Sequence, residues 1–409
     1  MNILYIAYSC SPYHGSEDKI GWSLPMESAK TNNVFVITKE EQRTYIAQYF
    51  QSNPGGNIRF YYVDIPNVFK KLFKGPLYSG RLNIWNRRAQ QVAKEICEKE
   101  GIDVIHQIAP VEFRSIGAYG KIPGVKFVCG PMGGGEYIPK GLRPYAKGHG
   151  LVEIVRALAN AWYKCKLGLA GTFRRCDKLL FSNRETRSYL RQHLPKVQHP
   201  KIMTEIGIDI TEISENPRKA PGEKRRFLVA GRLVYRKGHA LLLDALEQLP
   251  EEMDYECRIV GDGPEYETIK NRCQSSEKLS KHVVLTGAIP YARMVEEYDR
   301  ADVFVMPSLR ETTGTVLLEA MSKGIPVITV GRFGGAVLLD EHTGWHYDGN
   351  SRQDYVANLK KAVTECIQNP EEISRRGENA RKKAENYTWQ RKMVYFQELY
   401  NEVSVTGED

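Results

Sequence analysis

The chain lacks several features that would place it in a special class of protein. None of its apolar runs approaches the roughly 20 residues that a membrane-spanning helix needs. Its eight cysteines form no Cys-x-x-Cys pair, which argues against a metal cluster and indicates reduced, mostly buried thiols in a cytosolic protein. It also has no Asp-x-Asp pair, so the sequence provides no motif for a metal ion bound to phosphates. Low-complexity segments and short repeats are absent, and a globular protein is expected.

The first ten residues, MNILYIAYSC, contain no basic leader and predict a buried strand rather than a signal peptide. The net charge of +9 over 409 residues indicates an anionic partner, such as a nucleotide, an acidic membrane or a nucleic acid. Composition does not choose among these. No recognised RNA-binding motif is present, so a nucleic acid is not expected.

Short apolar strands alternate with helical patterns in both halves of the chain, which is typical of parallel sheets with crossover helices. In the first half, the predicted strands are 2–8, 34–38, 58–65, 102–108, 125–130 and 178–183, and a helix covers 84–99. In the second half, the predicted strands are 227–231, 255–261, 282–287, 302–307 and 326–330, with helices at 239–248, 264–278 and 291–300.

A polar, charged segment at 211–226 separates the two halves and is typical of a linker. We therefore predict an N-terminal domain over 1–205, a C-terminal domain over 206–385 and a closing amphipathic helix over 386–409. Ligands of open α/β sheets bind at the carboxyl ends of the strands, so a site in a cleft between two such domains is expected.

The clearest chemical motif is SLRETTGTVLLEAMSKGIPVI, residues 308–328. Its pattern predicts a helix that begins near Gly314 and ends at Gly324. The free N–H groups at such a helix start favour a phosphate. Glu311 would then lie beside the anion, and Glu319 within reach of a hydroxyl-bearing group attached to it. A capped core helix with a solvated face explains the same pattern, so both interpretations stay open here.

Two cations follow a predicted strand in the segment GRLVYRKGHALLLDAL. Arg232 comes at the end of the strand, and Lys237 precedes the next helix. A guanidinium fork and an ammonium group at this edge suit a diphosphate. A basic loop in a basic protein is the alternative, and Arg236 is expected to be only that. The turn IVGDGP contains Gly261 and is a weak phosphate-loop pattern.

The first half contributes two further candidates. Gly15 and Ser16 follow the first strand and open a predicted helix, whose start is a candidate phosphate contact. His106 lies at the end of a strand, where a lone histidine is more often structural than catalytic.

Taken in order, these motifs resemble those of retaining glycosyltransferases with the GT-B fold, family GT4. The sequence has a Gly-containing loop after the first strand, then DVIH, GRLVYRKG, IVGDGP, TGAIP and RETTGTVLLEAMSKGIPVI. The resemblance covers nearly the whole chain. It implies two Rossmann-like doubly wound α/β domains facing across a cleft, with the C-terminal helix crossing back to the N-terminal domain. Two segments depart from the common pattern, since HGSEDKIGW stands in place of Gly-Gly-x-Glu-Arg and ETTG in place of Glu-Gly-Phe-Gly.

The resemblance also implies roles for individual residues. The two catalytic residues would be His106, facing the reacting sugar, and Glu311, contacting the donor sugar. Phosphate and ribose contacts of the donor would come from Gly15, Ser16, Arg232, Lys237, Gly261, Thr313, Gly314, Thr315 and Glu319.

The expected activity is that of a hexosyltransferase acting with retention of configuration and without a metal or cofactor. A nucleotide-diphosphate sugar, expected to be a UDP-sugar, would be the donor. A glycan or lipid-linked acceptor in cell-surface polysaccharide or glycolipid synthesis would receive the sugar. A sugar-nucleotide epimerase of the same bilobed fold and a non-catalytic sugar-nucleotide binding protein are the alternatives.

Basic residues interleaved with aromatic and apolar ones occur at 67–88 and 140–178. This pattern suits an anionic membrane surface, and the run from Leu151 to Ala170 is apolar enough to lie on a bilayer. The resulting prediction is a cytoplasmic protein bound peripherally to the inner face of the membrane. A solvated face over a core helix is the alternative. The candidate membrane or acceptor contacts are Lys70, Lys71, Lys74, Arg143 and Lys147.

Overall fold

The computed structural model of the protein describes residues 1–73, 75, 78–195, 200–215 and 220–405. The chain forms two compact units. The first unit contains Met1–Gly135, Leu151–Gly207 and Trp389–Asp409, and the second contains Glu136–Gly150 and Ile208–Thr388. The chain therefore passes between the units four times. The predicted boundaries at 205/206 and 385/386 stay predictions, and the compact units change over at 207/208 and 388/389.

The described strands, numbered in chain order, are β1 (Asn2–Ala7), β2 (Asn33–Lys39), β3 (Ile58–Val63), β4 (Val104–Ala109), β5 (Lys126–Met132), β6 (Lys178–Phe181), β7 (Lys201–Ile202), β8 (Arg225–Ala230), β9 (Tyr255–Val260), β10 (Val283–Gly287), β11 (Val303–Met306), β12 (Val327–Val330) and β13 (Gly344–Tyr347).

The described α-helices are α1 (Glu17–Ser28), α2 (Arg43–Ser52), α3 (Asn67–Leu72), α4 (Tyr78–Glu100), α5 (Gly150–Leu169), α6 (Arg184–Leu190), α7 (His239–Glu247), α8 (Tyr266–Ser275), α9 (Glu277–His282), α10 (Tyr291–Arg300), α11 (Thr315–Ser322), α12 (Gly335–Leu338), α13 (Arg352–Gln368), α14 (Pro370–Ala384) and α15 (Trp389–Val405). No helix in the described ranges is long and apolar enough to cross a bilayer.

Each unit is built on its own parallel sheet. The strand order is β3-β2-β1-β4-β5-β6-β7 in the first unit and β10-β9-β8-β11-β12-β13 in the second. The central strands β1, β4 and β11 are buried along nearly their whole length, as expected for strands with helices on both faces. In each sheet, successive strands are first added on one side of the first strand of the unit and then on its other side. Ligands of doubly wound sheets bind at the point where the strand order switches in this way.

The last helix, α15, packs within the first unit. Its Trp389, Phe396 and Tyr400 side chains are at most 2% exposed. The Tyr400 hydroxyl lies 3.1 Å from the Tyr5 hydroxyl of β1, so the helix covers the centre of the first sheet. The apolar spacing of the C-terminal sequence therefore marks a packing face.

The segment Glu136–Gly150, in contrast, packs within the second unit. Leu142 is fully buried in the core of that unit, and the Tyr145 hydroxyl donates a hydrogen bond to the Asp244 carboxylate on α7. Asp244 also accepts from Arg272 and Arg352, which tie α8 and α13 to the same carboxylate. The predicted N-terminal domain includes this segment, since nothing in its sequence indicates that the chain leaves the first unit here.

Candidate functional site

The carboxyl edge of the second sheet carries both cations predicted from the sequence. β8 ends at Ala230, and Arg232 follows two residues later with an exposed side chain. Among the described residues Arg232 forms no ion pair, which leaves its guanidinium available to a ligand. Lys237 lies at the end of the same loop, before α7. The Leu309 N–H donates to the Arg236 carbonyl over 2.8 Å, so this loop is joined to the segment that follows β11.

That segment contains Glu311, which is bound by two cations. The Lys237 ammonium group donates a hydrogen bond to one carboxylate oxygen of Glu311, and the Arg236 guanidinium lies 3.5 Å from the same oxygen. Burial would raise the pKa of Glu311, but Lys237, Arg236 and a hydrogen bond from the Thr312 backbone outweigh it and lower the pKa. Glu311 is therefore ionised at neutral pH, and the cluster of three side chains keeps a net positive charge that favours an anionic ligand.

His239, the first residue of α7, lies beside this cluster. It is 4% exposed, and burial together with the charge of Lys237 lowers its pKa to about 4, so the imidazole is neutral at physiological pH. Its Nδ1 atom has no hydrogen-bond partner among the described residues. Buried polar atoms are normally paired, so this nitrogen is a site for a water molecule or a ligand group.

The start of α11 lies next to Glu311. Gly314 is its N-cap residue with φ 93° and ψ 99°, a conformation that glycine adopts readily. Thr313 is fully buried, and Thr315 begins the helix. Gly314 has no side chain to cap the first turn, and the turn contains no acidic residue. The positive end of the helix dipole therefore meets no acidic side chain within its own first turn, which suits a phosphate.

Glu319 lies one turn further along α11. Its carboxylate accepts a hydrogen bond of 2.8 Å from the hydroxyl of Tyr298 on α10. Tyr298 is only 4% exposed, so the ring is held by packing and its hydroxyl has a fixed position. This bond orients the Glu319 carboxylate, which is half-buried rather than on a solvated helix face.

Gly261 follows β9 and completes this edge of the sheet. A Cβ atom at this position would lie 1.9 Å from the Gly231 carbonyl oxygen, so only glycine fits. The Gly261 N–H donates to the Gly287 carbonyl over 2.9 Å. The ends of β8, β9 and β10 thus meet through close backbone contacts at this edge of the sheet.

In the first unit, Gly15 and Ser16 are exposed and precede α1. Ser16 has φ 58°, a left-handed conformation that is uncommon for a residue with a side chain. The expected contact of these residues with a donor phosphate stays a prediction.

His106 lies on β4 and is completely buried. Its Nδ1 atom is 2.6 Å from the Tyr400 hydroxyl, and its Nε2 atom is 2.7 Å from the Gly130 carbonyl oxygen. Burial lowers its pKa to about 4, since only a hydrogen bond to Gly130 favours the charged form. Both ring nitrogens are thus occupied within the first unit. The catalytic role expected for His106 stays a prediction, and its surroundings are those of a core residue.

The basic residues predicted to contact a membrane or an acceptor are spread over both units. Lys70 forms ion pairs with Glu41 and Asp64 and is only 20% exposed, whereas Lys71 is exposed. Lys74 lies outside the described residues. Arg143 and Lys147 are exposed in the second unit, in the segment Glu136–Gly150. These residues do not form one surface patch within a single unit.

Sequence reasoning missed three side chains of the site in the second unit, namely Arg236, His239 and Tyr298. The sequence predicts only a basic loop at Arg236. Its partner Glu311 lies 75 residues further along the chain, and the spacing of residues does not show such a contact. Tyr298 faces Glu319 from another helix, so no local pattern marks it. For His239, the signal present in the sequence is its position directly after Lys237-Gly238.

The described residues contain no group of three or more His, Cys, Asp or Glu side chains arranged to hold a metal ion.

Comparison with known proteins gives a sequence match and a structural likeness. Residues 210–383 match the family described as glycosyl transferases group 1. A GDP-mannose-dependent alpha-(1-6)-phosphatidylinositol monomannoside mannosyltransferase of Mycolicibacterium smegmatis is 31% identical over 251 residues, which cover 54% of this chain and 62% of the relative. The matched region thus spans about three fifths of the length of that relative.

The structural likeness extends over the whole chain. A sucrose-phosphate synthase from Thermosynechococcus elongatus gives a TM-score of 0.66 at 18% identity, covering 99% of this chain and 100% of the other. Anabaena HepE in complex with UDP gives 0.62 at 17% identity, covering 98% and 100%.

The two parallel α/β units and this likeness define the class of protein, which has the GT-B fold, as predicted. Within that class, residues 210–383, which form most of the second unit, match the glycosyl transferases group 1 family.

Proposed function

We propose that the protein is a retaining glycosyltransferase. It would move a sugar from a nucleotide-diphosphate donor, a UDP-sugar, to a glycan or lipid-linked acceptor in cell-surface polysaccharide or glycolipid synthesis. The observation that carries this proposal is the cluster of Lys237, Arg236 and Glu311 next to the start of α11, whose first turn contains no acidic residue. The match of residues 210–383 to a glycosyltransferase family supports it.

The charges of this cluster suit the bond that breaks. Cleaving the bond between the anomeric carbon and the diphosphate leaves negative charge on the phosphate oxygen and positive charge on the sugar ring. Arg232, Lys237 and the start of α11 stabilise the negative charge. In the structure the Lys237 ammonium group donates a hydrogen bond to Glu311. A bound donor would share the ammonium group between its diphosphate and the carboxylate.

The two carboxylates have different tasks in this proposal. Glu311 is held ionised by its cations and would accept hydrogen bonds from the donor sugar. Glu319, oriented by Tyr298, would accept hydrogen bonds from the ribose hydroxyls. Retention follows if the acceptor oxygen attacks the anomeric carbon from the side of the leaving diphosphate. Its proton then passes to the departing phosphate oxygen, so Glu311 need not form a covalent bond.

Two of the similar proteins bear on the choice of nucleotide. The mycobacterial relative is named as GDP-mannose-dependent, whereas Anabaena HepE is described in complex with UDP. The donor is therefore best identified with a panel of UDP- and GDP-sugars, scored by the rise in melting temperature that a bound donor causes. If GDP-mannose raises the melting temperature and no UDP-sugar does, the donor nucleotide is GDP rather than UDP. The proposed class of reaction would stay the same.

The decisive test replaces the cations one at a time and measures release of the nucleotide diphosphate with and without acceptor. Arg232→Ala and Lys237→Ala should each lower turnover about 100-fold or more, because each removes a positive charge that stabilises the leaving group. Arg375→Ala and Lys361→Ala, on α14 and α13, are matched controls that should leave turnover unchanged. Near-normal turnover in either site variant would overturn the diphosphate assignment.

The same assay separates the other candidate activities. Donor conversion without any acceptor would indicate an epimerase, and tight binding without turnover would indicate a binding protein. We also propose that no metal takes part. Turnover should persist in excess EDTA, and complete loss that Mg²⁺ restores would contradict this.

We further propose a cytoplasmic location. All eight cysteines are free thiols in the structure, and six of them are buried. Persistent free thiols are typical of reducing compartments. Fractionation of cells followed by thiol alkylation of the native protein would test this proposal.

A further inference from the structure

The long helix α5 exposes large apolar side chains, whereas the exposed side of an ordinary helix of a globular protein is polar. The side that faces the protein carries Glu153, Arg156 and Asn160. The Arg156 guanidinium and the Asn160 amide both donate to the Gly134 carbonyl, over 2.8 and 2.9 Å. These polar contacts and two buried apolar side chains near the C-terminal end hold the helix in place, and its other large apolar side chains are turned away from the protein.

The outward side of α5 is apolar along its whole length. Leu151 is 79% exposed, Leu158 66%, Trp162 57% and Leu169 89%, and Val152, Ile154 and Val155 are also exposed. Within this fully described helix, Lys166 is the one charged residue among the exposed positions between 151 and 169. Exposed apolar surface of this extent, on a single face, indicates a partner that covers it.

Basic side chains border this face at its C-terminal end. The Lys166 ammonium group lies 4.8 Å from the centre of the Trp162 ring. Arg174 and Arg175 are exposed just after the helix, and the Arg175 guanidinium donates to the Ala170 carbonyl over 2.5 Å. The two arginines line a cavity of about 520 Å³ together with Lys126 and Asp177. Three of these four ionisable groups are cationic, so the cavity favours an anion.

We propose that the outward face of α5, with Arg174 and Arg175, docks on a bilayer that contains anionic lipids. The apolar side chains would enter the boundary between headgroups and acyl chains, with Trp162 at the level of the headgroups. Lys166 and the two arginines would contact lipid phosphates. The helix lies on the membrane and does not cross it, in agreement with the finding that no helix in the described ranges could span a bilayer.

A second copy of the chain is the main competing occupant, and charge argues against it. In a two-fold symmetric contact between copies of α5, Lys166, Arg174 and Arg175 of both copies would lie in one interface. The exposed positions of the helix offer no acidic residue to balance them. An anionic bilayer satisfies both the apolar area and the positive charge.

This docking surface is not the one indicated by Lys70 and Arg143. It rests on the exposed residues of the first unit and does not depend on the proposed sugar transfer. If the docking and the sugar transfer both hold, the enzyme meets its acceptor at the membrane surface.

The test measures sedimentation of the full-length protein with vesicles of phosphatidylcholine, with or without phosphatidylglycerol. The wild-type protein should bind the acidic vesicles, and binding should weaken with added salt. The double variant Leu158→Glu, Trp162→Glu should bind at least about tenfold more weakly, because it places charge in the apolar layer. The double variant Arg174→Ser, Arg175→Ser should lose roughly 30-fold, from about 1 kcal/mol for each lost cation.

Matched controls lie elsewhere on the first unit. Val394→Glu replaces an exposed apolar residue on α15, and Lys94→Ser, Lys99→Ser removes two exposed cations from α4, so both should bind like the wild type. Since Leu158 and Trp162 are exposed, their variant should keep the wild-type melting temperature. It should also keep its rate of nucleotide release with a water-soluble acceptor, so a failure of docking is distinguished from a failure of the proposed transfer.

Two results would overturn the proposal. One is equal binding of wild type and both α5-region variants to acidic vesicles. The other is no vesicle binding together with a dimer, seen by light scattering, that the Leu158→Glu, Trp162→Glu variant dissociates.

Discussion

At the scale of single residues, the site in the second unit depends on partners that hold its charged groups ready. Glu311 is paired with Lys237 and Arg236, and Glu319 is paired with Tyr298. Groups that are held in place in this way need little rearrangement when a ligand binds. This distinguishes a preorganised site from a set of mobile surface charges.

Tyr298→Phe removes one hydroxyl and tests this orientation of Glu319. We expect nucleotide diphosphate to bind about tenfold more weakly, because a hydrogen bond to a charged group is lost, while kcat changes little. Isothermal titration with the nucleotide measures the effect. Tyr387→Phe is a matched control, since its hydroxyl bonds to the Val337 carbonyl instead.

Glu319→Gln provides the second half of this test. If Glu319→Gln alone leaves nucleotide affinity unchanged, the ribose assignment is wrong. If Glu319→Gln weakens binding but Tyr298→Phe does not, the ribose assignment holds and the orienting role of Tyr298 fails. When both weaken binding, the double variant should show less than the sum of the two free-energy losses.

At the scale of elements, the turn between β8 and α7 brings the basic loop against the end of β11. Gly238 has φ 72°, and a Cβ atom there would lie 1.9 Å from the Pro307 carbonyl oxygen. The close approach of these two backbones is what allows Lys237 to reach Glu311.

Gly238→Ala should therefore lower the free energy of unfolding of the second unit by about 2–4 kcal/mol, from the left-handed backbone and the collision with Pro307. Urea unfolding measures the loss, and nucleotide binding should weaken as well. Gly222→Ala is the control, since nothing lies within 4 Å of its added Cβ atom. Equal unfolding midpoints for the two variants would contradict the close packing of this turn.

A second element, the start of α1, holds a buried carboxylate. Glu17 accepts a hydrogen bond of 2.9 Å from the Val111 N–H. Burial raises the pKa of Glu17 to about 7, with a further contribution from the neighbouring carboxylates of Glu112 and Glu205, although the Val111 bond opposes this. The folded chain thus binds this proton more tightly than the unfolded chain.

Because folding raises the pKa of Glu17, this group makes its full contribution to the free energy of unfolding below the ordinary pKa of glutamate. That contribution is lost as the pH rises through about 7. Glu17→Gln keeps the acceptor for Val111 and removes the titration. We expect the variant to match the wild type near pH 4 and to be more stable at pH 8, by up to about 3 kcal/mol. A stability difference that does not change between these pH values, measured by thermal unfolding, would show that Glu17 ionises normally.

At the scale of the whole molecule, each unit is completed by a distant part of the chain. The C-terminal helix α15 belongs to the first unit, and the segment Glu136–Gly150 belongs to the second. Neither unit is therefore a continuous stretch of sequence.

Removing residues 389–409 should prevent the first unit from folding, because three buried aromatic side chains, Trp389, Phe396 and Tyr400, leave its core. Loss of each such side chain costs about 3–5 kcal/mol, and a domain has only about 5–15 kcal/mol in total. Hydrogen exchange followed by mass spectrometry should show fast exchange in β1 and β4 and continued protection in β8 and β11. Unchanged protection of β1 would show that the helix is dispensable.

The sequence by itself predicted the alternation of strands and helices, since hydrophobic periodicity and turn residues are local. The predicted strand at 34–38 lies within β2, and the predicted helix at 291–300 coincides with α10. The start of α11 at Gly314 and its end before Gly324, which has φ 69°, also agree with the sequence, because glycine tolerates both conformations. The fold class followed from these patterns and from the family resemblance.

Tertiary structure alone decided which side chains meet. The partners of Glu311 and Glu319 come from other elements, His106 is a buried residue bound to Tyr400, and the segment 136–150 joins the second unit. The outward apolar face of α5 is a further case, since periodicity predicts an amphipathic helix but not which side the protein covers. Contacts between residues far apart in the chain depend on packing in three dimensions, and a single sequence carries no local signal for them.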